Sequence, residues 1–168
     1  MRMLLIGLLT IAAAPALGQS APVPCSTAEF KRIDFWLGDW DARWQAFPGT
    51  PAGSGSNHIT RTYGGCVTEE HFDAGSFKGH SVSTYLMRTK SWRQTWVDDQ
   101  GAYIELAGGP DSSGNFVLTT LPQSGTAAAK RMIFTDIEPD SFTWRWQATQ
   151  DGKTWTDNWV IRYTRKKH

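Results

Sequence analysis

From residue 39 onward the chain alternates apolar and polar residues, and no segment sustains a helical period. Alternation puts successive side chains on opposite faces of an extended backbone, so the pattern predicts strands. In GDWDARWQAF, Trp40, Ala42, Trp44 and Ala46 share one face, while Asp39, Asp41, Arg43 and Gln45 share the other. Phe142, Trp144 and Trp146 align in the same way against Arg145 and Gln147, and Trp155, Trp159, Ile161 and Tyr163 against Thr156, Asn158 and Arg162. Turn signals such as FPGTPAGSGSN, YGG, DAGSFKG, GGPDSSGN and QDGK separate runs at 39–47, 56–63, 66–72, 79–88, 91–98, 102–107, 115–121, 130–136, 141–149 and 154–165. About ten strands joined by short loops favour antiparallel neighbours, and closing them into a barrel removes the exposed edges. The expected fold is therefore all-β, an antiparallel up-and-down barrel of about ten strands, with a two-sheet sandwich as the alternative. Ahead of the strands, STAEFKRIDFWLG predicts one short helix over about 26–36, with Ser26 and Glu29 as a capping box and Gly38 ending the run.

Two segments break the clean division of faces. In SWRQTWVDDQG, Trp92, Gln94, Trp96 and Asp98 share a face, opposite Arg93, Thr95 and Val97. In CVTEEHF, one parity carries Cys66, Thr68, Glu70 and Phe72, and the other carries Val67, Glu69 and His71. Whichever face turns inward takes a carboxylate with it, and an unpaired buried charge is very costly. The favoured arrangement has Glu70 inward with Phe72, and Glu69 and His71 in solvent. The interior then contains either a satisfied network, with indole N–H groups donating to Glu70 or Gln94, or a small-molecule pocket. The expectation is a pocket in which Trp92 and Trp96 form an apolar wall. Gln94, Glu70 and Asp98 would orient the ligand, and Trp40, Trp44 and Tyr85 would complete the lining. The faces of Trp40, Trp96, Trp144 and Trp159 are expected to point inward together.

The first 18 residues, MRMLLIGLLTIAAAPALG, have a basic start, an apolar run and a small-residue cleavage site, the make-up of a secretory signal peptide too short for a membrane span. Residues 19–25 form a flexible arm and 26–168 a single barrel domain, exported to the periplasm or secreted. Losing Arg2 with the leader leaves 16 Lys+Arg against 16 Asp+Glu, which gives no basic surface for nucleic acid. Cys25 and Cys66 are the two cysteines, an even count that in an exported chain predicts a disulfide tying the arm to the sheet.

The segments DFWLGDWDARW, YGGCVTEEHF, KGHSVSTYLMRTKSWRQTWVDDQG and TQDGKTW…YTRKK resemble, in order and spacing from about Ile33 to Lys166, the DUF1579 family of bacterial proteins of unknown function. The resemblance implies a lipocalin-like (calycin-like) barrel and carries no catalytic residues. Leu37-Gly38-Asp39-Trp40 is also similar to the opening of nitrobindin-type haem barrels, whose His ligand lies late in the barrel. Here the late histidine is His168 at the charged tail, while His58, His71 and His80 are early, so neither haem nor any other cofactor is expected. No metal site and no catalytic residues are expected either. The chain has no Gly-x-Ser-x-Gly, phosphate-loop or His-Glu-x-x-His motif, and adjacent Glu69, Glu70 and His71 face opposite ways and cannot converge. Gly64-Gly65 and Gly108-Gly109 read as turn glycines. The functional expectation is a monomer or weak homodimer that binds a small apolar or amphipathic molecule without catalysis. The alternatives are an enzyme using Glu70 as general acid or base, and a filled barrel acting through its surface.

Overall fold

The computed structural model describes residues 25–122 and 125–167; the expected leader (1–18), the arm as far as residue 24, and His168 lie outside the described residues. Alternation gives ten strands: β1 (Gly38–Trp44), β2 (Gly53–Thr62), β3 (Val67–Asp73), β4 (Lys78–Leu86), β5 (Ser91–Asp98), β6 (Tyr103–Pro110), β7 (Phe116–Thr120), β8 (Ala129–Glu138), β9 (Ser141–Thr149) and β10 (Thr156–Arg165). Each pairs antiparallel with the next, and β1 pairs with β10, so one sheet closes on itself and the sandwich alternative is excluded. Among the described residues no helix is long and apolar enough to cross a membrane.

Several local expectations are corrected. The N-terminal helix is a 3₁₀ helix over Phe30–Trp36, and its N-cap residue is Glu29, which makes no side-chain capping bond. Its buried residues are Phe30, Ile33 and Trp36, a spacing of three, which is the 3₁₀ repeat. Gly108 and Gly109 lie inside β6 rather than in a turn. A Cβ on Gly108 would stand 2.1 Å from the Val117 carbonyl oxygen, so the close approach of β7 requires glycine there. β1 stops at Trp44, leaving Ala46 outside the sheet and exposed, and Trp155 precedes β10, where the Arg131 guanidinium covers its ring at 4.1 Å.

The 3₁₀ helix fills the end of the barrel at which β1 begins. Phe35 and Trp36 meet the Phe134 ring at 5.3 and 5.2 Å, Trp40 meets Phe142 at 4.7 Å, and Trp92 meets Phe116 at 5.6 Å. Trp40 donates its indole N–H to the Trp36 carbonyl at 2.8 Å. Two arginines secure this end. Arg61 donates to the Phe30 and Gly65 carbonyls and pairs with Asp34. Arg165 donates to the Leu37 carbonyl and lies 4.1 Å above the Trp40 ring. The Cys25–Cys66 disulfide, whose Cα atoms are 4.9 Å apart, ties the chain before the helix to the start of β3. The inward direction expected for Trp40, Trp96, Trp144 and Trp159 is observed, and all four belong to or pack on one core cluster.

Trp40 has no exposed surface. Trp40→Ala removes a large ring together with an indole hydrogen bond and an Arg165 contact, and it is expected to destabilise the fold by about 3–5 kcal/mol in denaturant unfolding. A loss below about 1 kcal/mol would mean that the helix-filled end does not depend on that ring.

Candidate functional site

The opposite end of the barrel is hollow. A cavity of about 260 Å³ opens there, walled by Phe72, Phe77, Trp96, Trp144, Trp146 and Trp159, with Leu106, Met132 and Ile161 among its aliphatic residues. Gly79 on β4 makes room for one wall, since a Cβ there would stand 2.0 Å from the Trp96 ring. Trp144 and Trp146, two apart on β9, place their rings parallel within 2° at 6.3 Å. Trp159 meets Trp144 edge-on at 5.9 Å.

The polar groups of the cavity come from consecutive strands in register. Glu70 on β3 lies opposite Ser81 on β4, and Ser83 lies opposite Gln94 on β5. Glu70 is buried, and its carboxyl accepts from Asn57 Nδ2 at 2.7 Å through Oε1 and from Ser81 Oγ at 2.6 Å through Oε2. Asn57 Nδ2 also reaches the Tyr163 hydroxyl at 3.4 Å. Gln94 donates to Ser83 Oγ at 3.0 Å. The indole N–H groups do not serve Glu70 or Gln94 as expected. Trp96 donates to Asp98 at 3.0 Å, Trp44 donates to the Pro51 carbonyl, and the buried Trp159 Nε1 has no partner. Glu70 is served instead by a hydroxyl directly across on β4 and by an amide from β2.

Burial dominates the electrostatics. Desolvation pushes the Glu70 carboxyl up from 4.5 to about 7, against the opposing hydrogen bonds from Ser81 and Asn57. The Tyr163 hydroxyl is pushed well above its usual range by burial and by the nearby Glu70 carboxyl. Asp98 behaves in the opposite way. Burial works against its charge, but hydrogen bonds from Trp96 and from the backbone N–H groups of Ala102 and Gln100 outweigh this and hold its carboxyl below the usual range.

The eight residues read from sequence divide by height along the barrel axis. Glu70, Gln94, Trp96 and Asp98 line the cavity. Trp92 and Tyr85 do not line it; they pack against each other at 6.0 Å, and Tyr85 meets Phe30 of the 3₁₀ helix at 5.5 Å. Trp40 belongs to the same filled end. Trp44 stands behind the cavity wall, edge-on to Trp159 at 5.2 Å. Parity assigns a residue to a face and leaves its height open, and residues four apart on one strand are separated by roughly 13 Å. The pocket wall expected from Trp92 and Trp96 together is thus supplied by Trp96 with Trp144, Trp146 and Trp159. Sequence reasoning missed Asn57, Ser81, Ser83 and Tyr163. The alternation of Ser81, Ser83 and Tyr85 in GHSVSTYL was the available signal for two of them.

On the outer face, Glu69 and His71 lie on the solvent side of β3 as expected. His80 of β4 joins them, so that ligand atoms of all three residues come within 4.8 Å of one another. No family model matches the chain, and no curated protein matches it.

The raised Glu70 pKa sets a sign for stability. Between about pH 4.5 and 7 the unfolded chain releases the Glu70 proton while the folded chain keeps it. The folded state then binds more protons, so this group's contribution falls as pH rises through the window, by about 3 kcal/mol in all. His80, whose pKa burial pushes down, contributes with the opposite sign. The difference between wild type and Glu70→Gln isolates the carboxyl: the variant is expected to gain stability relative to wild type from pH 5 to pH 8 in urea unfolding. A difference independent of pH would mean that Glu70 ionises normally.

Proposed function

We propose that the barrel binds a small, largely apolar, ring-bearing molecule in this cavity without transforming it. The observation that carries the reading is the cavity itself: aromatic walls, one open end, and a few buried polar groups in Glu70, Gln94 and Tyr163. That is the usual composition of a small-molecule site. Since about 150 Å³ of apolar cavity accommodates benzene, 260 Å³ suits one ring with substituents or two small fused rings. A cavity of this size weighs against a filled barrel that acts only through its surface.

Assignment to the DUF1579 family, whose motifs imply this type of barrel, is part of the same proposal. So is export to the periplasm or beyond, which the leader-like first 18 residues and the Cys25–Cys66 disulfide support. Closure leaves no free strand edge for pairing, in keeping with a monomer or weak homodimer.

The rival reading, an enzyme with Glu70 as general acid or base, draws on a carboxyl poised near 7. It requires a second reactive group. The other carboxylate on the cavity, Asp98, is tied to Trp96, Gln100 and Ala102 at the rim.

Thermal-shift titration with a panel of one- and two-ring amphiphiles tests the binding reading. At least one class is expected to raise the melting temperature of wild type. Ile104→Trp, which fills the cavity across from Trp96, should abolish the effect. Gln94→Leu should keep the fold and weaken binding by about 1–3 kcal/mol, the cost of an unpaired polar group. If no compound shifts wild type and Gln94→Leu unfolds the protein, the polar pair serves the fold alone.

A further inference from the structure

Three of the four histidines lie side by side on the outer wall. His58 of β2 pairs in register with His71 of β3, and His71 pairs with His80 of β4. Because Glu70 and Phe72 point inward, His71 and Glu69 point outward. The His71 and His80 rings stand 4.5 Å apart at 32°. Glu69 Oε1 accepts from Thr62 Oγ1 at 2.9 Å, which fixes the carboxylate on the same patch. His58 is engaged elsewhere, with its Nδ1 2.6 Å from Asp39 Oδ1. His80 Nε2 is buried and has no hydrogen-bond partner.

We propose that Glu69, His71 and His80 form a binding site for a divalent late first-row metal ion, zinc in the first instance. The donor set is two imidazoles and one carboxylate. Such a set suits zinc and its neighbours and is ill matched to calcium or magnesium, which take oxygen ligands. Ligand atoms of the three lie within 4.8 Å of one another. On a tetrahedral ion with bonds of about 2.0–2.1 Å, neighbouring donors stand roughly 3.3 Å apart. The closure required is a rotamer adjustment, and His71, which is exposed, is free to make it. The Thr62 hydroxyl supplies the outer hydrogen bond that metal-binding carboxylates ordinarily carry. Three protein ligands leave a fourth position for water.

Two stacked imidazoles can also be a mere packing pair, but packing leaves the His80 nitrogen unsatisfied. A bound ion accounts for the proximity of the rings and for a carboxylate held beside them. The site faces away from the cavity, so it is independent of the ligand reading.

Metal-stripped full-length protein titrated with Zn²⁺ by calorimetry is expected to bind one ion per chain. His71→Asn and His80→Asn should each weaken binding at least about tenfold. His58→Asn and His168→Asn should leave it unchanged. Histidine ¹⁵N NMR of the wild-type chain provides the readout that needs no variant: Zn²⁺ should move the signals of His71 and His80 and leave that of His58 in place. Absence of Zn²⁺ binding, unaltered affinity in both His71→Asn and His80→Asn, or NMR shifts confined to other histidines would overturn the proposal.

Discussion

A carboxyl group withdrawn from water inside a closed barrel is the constraint around which the interior is organised. Glu70 cannot turn outward without taking Phe72 and Thr68 with it, since a shift of one residue exchanges every side chain between the faces. It cannot remain inside unsatisfied either. The chain resolves this locally: Ser81 lies directly across β4, and Asn57 reaches in from β2. Even so, desolvation outweighs both hydrogen bonds, and the group retains its proton up to about pH 7. The interior therefore contains a donor or a charge according to pH, inside a mostly aromatic chamber.

That chamber exists because the two ends of the barrel are packed differently. At one end the 3₁₀ helix delivers Ile33, Phe35 and Trp36 among Trp40, Trp92, Phe116, Phe134 and Phe142, and the space is filled. At the other end Trp96, Trp144, Trp146 and Trp159 surround a space that their own rings do not fill. The same residue type thus seals one end and walls the other. What differs is the presence of the helix, which the disulfide, Arg61 and Arg165 hold in place.

Much of this was legible in the sequence. Alternation located all ten strands, and parity turned Glu70, Gln94 and the tryptophans within the strands inward, though not Trp155, which precedes β10. The cysteine count matched the disulfide. What parity does not encode is depth. Trp92 and Trp96 are equivalent by face, yet one packs against the ring of Phe116 and the other lines a cavity. Cross-strand register was equally invisible. Ser81 and Ser83 acquire meaning only once β4 is set against β3 and β5, and the Glu69, His71 and His80 cluster arises only when β3 meets β4. Glycines misled in the other direction. Gly108, read with Gly109 as a turn, is required instead by close backbone packing against β7, which demands the same residue as a turn does.

The central claim is that the hollow end receives an occupant and that Glu70 and Gln94 lie at its polar side. Native mass spectrometry of the protein, purified without denaturant from the cells that make it, is the most direct measurement. A filled site gives a complex heavier than the bare chain by one small molecule, released under collisional activation and missing from Ile104→Trp prepared in the same way. A spectrum of bare chain alone for wild type, or an adduct retained in full by Ile104→Trp, would contradict it.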